Sequence, residues 1–77
     1  MDSATKLKKH SVSIAGHRTS ITLEAAFWDA LSAIAQQRAT TVAGLIAEID
    51  RAREADPAGP NLSSAIRVFV LRQTQAR

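Results

Sequence analysis

His17-Arg18-Thr19-Ser20-Ile21-Thr22-Leu23 is the stretch whose reading decides the fold. It is rich in β-branched residues and alternates in character, so Ile21 and Leu23, joined by Thr19, face one side of a strand while Arg18, Ser20 and Thr22 face the other. The period of two makes this sharp, because a one-residue slip would bury the arginine. Upstream, Val12 and Ile14 alternate with Ser11 and Ser13, and Ala15-Gly16 then breaks the phase as a bend or bulge. Residues 1–9 are polar and read as a flexible basic arm, which leaves residues 10–77 as the folded domain.

Downstream the period changes from two to that of a helix. Phe27, Trp28, Leu31, Ile34 and Ala35 recur at helical spacing, with Asp29, Ser32, Gln36 and Gln37 opposite, which predicts a first helix from about Glu24 to Arg38. Both end residues suit the helix dipole. Ala39-Thr40-Thr41 is a short connection whose last residue is a good N-cap. A second helix follows from Val42 to about Ala55, with Val42, Leu45, Ile46 and Ile49 on its apolar face, and Asp56-Pro57-Ala58-Gly59-Pro60 stops it. A third runs from Leu62 to about Gln73 behind an Asn61 cap. Its Leu62, Ile66, Val68, Phe69, Val70 and Leu71 cover more than one face, so this helix is expected to be buried by another chain or a second layer.

The positive charge sits at the front of the chain. Lys6, Lys8, Lys9 and Arg18 face Asp2 alone before residue 23, whereas the arginines and acids beyond it cancel, so the net charge of +3 precedes the first helix. A basic strand ahead of helices suits an anionic partner, and duplex DNA read in its major groove fits best. With 77 residues and no cysteine, the chain is one small domain without disulfide or thiolate metal site, and oligomerisation is the remaining way to enlarge its core. No apolar run approaches the ~20 residues of a membrane span, and Met1–His10 lacks a secretory apolar segment, so the expected compartment is the cytoplasm. His10 and His17 have no ligand ladder around them, and no metal or other cofactor is expected. Without a cysteine nucleophile, a Gly-rich phosphate loop or a G-x-S-x-G elbow, the chain does not read as an enzyme.

Gly16-His17-Arg18-Thr19-Ser20, continuing through Leu23-Glu24 and Phe27-Trp28 to Leu31, together with Asn61-Leu62-Ser63-Ser64-Ala65-Ile66-Arg67, resembles the ribbon-helix-helix family of bacterial DNA-binding proteins, over roughly residues 10–72. The resemblance implies a mainly α protein with one short strand: an intertwined homodimer in which one strand from each chain forms a two-stranded antiparallel ribbon, here with a third C-terminal helix added to the family's minimal core. It implies that Arg18, Ser20 and Thr22 read bases. It also implies a phosphate site at Thr41 and the amides of Val42 and Ala43, with Lys6, Lys8 and Lys9 as further phosphate contacts. The shared dimer core would hold Ile21, Leu23, Phe27, Trp28, Leu31, Ile34, Leu45, Ile46 and Ile49. A second alignment stays open, because Asn61–Arg67 itself resembles the start of the family's second helix.

The partners expected are therefore double-stranded DNA and a second copy of the chain, with a tetramer as the larger assembly. The leading functional expectation is a transcription regulator acting as a repressor. The competing one is a protein-interaction module or antitoxin that uses helix 62–73 to bind a partner protein. Phe27 and Trp28, lying in an apolar stripe, read as core anchors rather than as a stacking platform for bases.

Overall fold

In the computed structural model, which describes residues 3–55 and 61–76, two eight-residue strands, β1 (Leu7–Ile14) and β2 (His17–Glu24), pair antiparallel from Leu7↔Glu24 to Ile14↔His17. This corrects two expectations. Among the described residues there are two strands instead of one, and the antiparallel partner of the deciding stretch is an upstream segment of the same chain. Ala15-Gly16 is neither a bend nor a bulge but the two-residue turn of this hairpin. Both residues hold positive φ, 51° and 81°, which a type I′ turn requires and which matches the twist of the flanking strands. The basic arm is correspondingly shorter than residues 1–9, since Lys8 and Lys9 lie within β1 and a short 3-10 turn, Ser3–Thr5, precedes them.

Alanine at a left-handed position is strained, because its Cβ crowds the following carbonyl. Ala15→Asn, which tolerates that conformation and recreates a favoured Asn-Gly turn, is expected to raise stability by about 1 kcal/mol, read as a higher urea midpoint.

Three helices follow: α1 (Ala25–Gln37), α2 (Val42–Glu54) and α3 (Leu62–Gln75), each within a residue or two of its predicted span. The first stops in a Schellman arrangement. Ala39 turns left-handed at φ 56°, its amide donates to the Gln36 carbonyl, and the Thr40 amide donates to that of Ala35. Thr41 then caps α2, its hydroxyl accepting from the Gly44 amide at 2.9 Å. Residues 56–60, the predicted stop signal after α2, lie outside the described residues.

Ile21, Leu23, Leu31, Ile34, Leu45, Ile46 and Ile49, expected in a core shared between chains, are buried here by the chain's own elements. Phe27 and Trp28 pack against them partly buried, and Ile14, Ala35, Ile66 and Val70 complete the cluster. Helix α3 touches α1, α2 and β2, so it belongs to the single-chain core. Its wide apolar surface is used on one side: Ile66 and Val70 turn inward with Leu62 and Phe69 packed beside them, whereas Val68 and Leu71 stay 45% and 52% exposed. Trp28 lies parallel to the His10 ring of β1, centroids 3.7 Å apart, so one face of the indole is used within the fold. Arg38 ties the far ends of α1 and α3 together, lying 5.2 Å from the Phe69 ring centroid and donating to Gln73 Oε1 at 2.9 Å.

Candidate nucleic-acid interface

Residues directly opposite in an antiparallel pair share a face, and successive residues alternate. The register therefore gathers Val12, Ile14, Ile21 and Leu23 on the side that packs on the helices. Lys9↔Thr22, Ser11↔Ser20 and Ser13↔Arg18 stand on the other side, and all six of these residues are exposed. Arg18, Ser20 and Thr22 thus share one open face, as the alternation predicted. The sequence reading missed that Ser11, Ser13 and Lys9 stand beside them. The signal was present in the alternation of Ser11 and Ser13 against Val12 and Ile14, but it needed a turn at Ala15-Gly16 to become a pairing.

The face is hydroxyl-rich and cationic. Neither Lys9 nor Arg18 forms an ion pair among the described residues. Lys8, across from Leu23, belongs by register to the helix-facing side yet is exposed, and Lys6 precedes the strand. The Lys6 carbonyl accepts the Ala25 amide at 3.0 Å, which holds the backbone of this basic segment against the start of α1.

The single acid on the two strands, Glu24, is neutralised from another element. Arg67 of α3 donates from Nε to Oε1 at 2.8 Å and from Nη2 to Oε2 at 3.2 Å, the two-pronged geometry that suits guanidinium and carboxylate. Glu24 stands at the N-cap of α1, where a carboxylate suits the helix dipole, but its side chain makes no capping hydrogen bond and pairs with Arg67 instead. The hydrogen bonds from Arg67, then the carboxylate's own backbone amide, hold the Glu24 pKa below its ordinary value, against a smaller effect of desolvation. A depressed folded-state pKa gives stability that is present above the unfolded carboxylate pKa and lost as pH falls through the folded one. Wild type is thus expected to exceed Glu24→Gln in urea midpoint at neutral pH, and the gap should close in acid. An unchanging gap would deny the ion pair its role.

Two helix starts were candidates for holding phosphate, and the fold places them differently. At α3, Asn61 Oδ1 accepts the Ser64 amide at 2.9 Å, and the Ser63 hydroxyl donates to the Thr22 carbonyl of β2 at 3.1 Å, so this end abuts the ribbon. The Thr41 end of α2 does not. The C-terminal half of α2 is the part beside the hairpin turn, where Ala47, Asp50, Arg51 and Glu54 line a cleft with Ile14, Ala15, His17 and Thr19. Thr41, Val42 and Ala43 therefore sit at the other end of that helix, about 13 Å back along its axis from Asp50 and Arg51.

A two-stranded ribbon with an exposed polar face, followed by helices that pack on its other face, defines a class, and comparison with known families agrees. The ribbon-helix-helix domain family matches residues 7–74, and the chain belongs to it. Members of that family generally bind DNA as dimers and are regulatory rather than enzymatic. No curated protein matches the chain. Among solved structures, an uncharacterized protein from Bordetella pertussis Tohama I is similar at 30% identity with a TM-score of 0.78, over 96% of this chain and 62% of that one. This chain accordingly spans less than two thirds of that protein's length. No helix among the described residues is long and apolar enough to cross a membrane.

Proposed function

We propose that the chain is a sequence-specific binder of double-stranded DNA that acts as a homodimer in transcription regulation, with the outer face of its β-ribbon in the major groove. One observation carries this reading: Arg18, Ser20 and Thr22 stand exposed together on the ribbon face turned away from the helices. A major groove admits a two-stranded ribbon, arginine can pair bidentately with guanine, and hydroxyls bond to several bases. Lys6 and Lys8 supply sequence-independent attraction to phosphates, whereas Lys9 stands on the outer face across from Thr22.

For the helix-held phosphate we favour the start of α3 over Thr41, Val42 and Ala43. The first amides of a helix lack partners within it and lie at the positive end of its dipole, which suits an anion at either start. Only the start of α3 lies beside the ribbon, through the Ser63–Thr22 bond. A duplex seated on the ribbon passes close to Leu62 and Ser63.

The second reading, a protein-interaction module or antitoxin, draws on the exposure of Val68 and Leu71 along α3. Salt-dependent binding to mixed-sequence duplex separates the two. A DNA binder loses affinity along a straight line of log K against log salt, with a slope set by the phosphates neutralised. Absence of binding even at low salt would overturn the DNA reading and favour the module.

A further inference from the structure

We propose that a single chain supplies a complete reading ribbon, in which Lys9, Ser11 and Ser13 of β1 determine sequence preference together with Arg18, Ser20 and Thr22 of β2; this rests on the DNA-binding reading above. The register places the three β1 residues directly across from the three of β2, all six exposed and on the same face. Whatever groove receives Arg18, Ser20 and Thr22 receives their neighbours one strand away, about 4.8 Å across.

The dimensions favour one hairpin per groove segment. A two-stranded ribbon fits a major groove about 12 Å wide, whereas two hairpins joined edge to edge would span about 14 Å between outer strand axes, before side chains are added. The free edge of β2 is also partly taken. Hydrogen-bonded and non-hydrogen-bonded positions alternate along an antiparallel pair, and a two-residue turn is closed by a hydrogen-bonded pair. Counting from Ile14↔His17, Lys9↔Thr22 falls among the non-bonded pairs, so the Thr22 carbonyl points away from β1. Ser63 occupies that carbonyl, where a partner strand would have to bond.

The face then has a definite layout. Lys9 stands at the helix end of the ribbon and Arg18 near the turn, on opposite strands and about 13 Å apart along the ribbon, with Ser11, Ser13, Ser20 and Thr22 filling the face around them. At 3.4 Å per base step, that separation is about four base pairs. Both cations suit guanine O6 and N7, and the hydroxyls between them discriminate less. The segment read by one chain should therefore carry two guanine-preferring positions about four base pairs apart.

Selection of bound sites from random duplex, run in parallel on wild type, Arg18→Ala, Lys9→Ala and the double variant Ser11→Ala/Ser13→Ala, tests the layout. The expected result is loss of preference at one anchor with Arg18→Ala, at the other with Lys9→Ala, and between them with the serine pair. If Lys9→Ala and Ser11→Ala/Ser13→Ala enrich the same sequences as wild type while Arg18→Ala does not, β1 is no reader and this proposal falls, with DNA binding intact. Enrichment of no sequence by wild type would remove the DNA reading and this proposal with it. Because the chain has no cysteine, Ser11→Cys/Ser20→Cys gives an independent check. After oxidation, a non-reducing gel should show a cross-link within one chain, and covalent dimers in its place would overturn the single-chain ribbon.

Discussion

Truncating Ile66 to alanine is expected to cost about 2–5 kcal/mol of stability, the usual range for removing a large aliphatic side chain from a packed interior. Ile66 is 0% exposed and belongs to one cluster with Leu23, Leu31, Leu45 and Ile46, so a cavity at its site would border strand and helices alike. A domain of this length holds only about 4–12 kcal/mol in all, so the loss is a large share of it. Val68→Ala, on the exposed side of the same helix, is the control and should change stability by about 0.5 kcal/mol or less. Urea unfolding followed by circular dichroism reads both. The comparison decides what α3 is for. Were it a detachable docking tail, Ile66→Ala and Val68→Ala would be equally mild, and removal of residues 61–77 would leave a folded hairpin and two helices. With Ile66 and Val70 in the core, that truncation should instead give a chain that aggregates, because it uncovers Leu23, Leu31, Leu45 and Ile46 together.

The helices were legible because their signals are local. Leu31, Ile34 and Ala35 in α1, and Leu45, Ile46 and Ile49 in α2, recur at helical spacing and are buried. Thr41 and Asn61 were readable as caps for the same reason, since each accepts the amide three residues on. The inward parity of Ile21 and Leu23 also followed from the pattern alone. The hairpin did not, because its turn is Ala-Gly: alanine rarely holds positive φ, so the dipeptide carries little of the turn signal of Asn-Gly. Without that turn, Val12 and Ile14 had no visible partner, and the pairing with a second chain came from the family resemblance alone. The two possible phosphate sites were indistinguishable for a different reason. Both are capped helix starts, and what separates them is contact across more than forty residues, Ser63 with Thr22 and Arg67 with Glu24. Residue types around Asn61 do not reveal which strand they will meet. The apolar width of α3 likewise conveyed its affinity for a core without saying that Ile66 and Val70, rather than Val68 and Leu71, would fill it.

Arg18→Ala is expected to weaken binding to the preferred DNA site by about 1–3 kcal/mol, roughly 5- to 150-fold, while leaving circular dichroism and the urea midpoint unchanged. The two halves of this expectation have separate causes. Arg18 is exposed and has no ion-pair partner among the described residues, so the fold has nothing to lose with it. A guanidinium placed on guanine makes two hydrogen bonds that no other base pair reproduces, so its loss should fall on one base position of the site. Lys6→Ala supplies the contrast. A phosphate contact carries no sequence information, so its loss should weaken binding to every duplex alike and lower the salt slope by about one. Measuring both variants on the selected site and on mixed-sequence DNA gives four affinities, and the pattern discriminates where a single number would not. If Arg18→Ala weakened specific and mixed-sequence binding equally, Arg18 would be a phosphate contact. The ribbon would then lie across the backbone, and base reading would have to pass to a different face of the molecule.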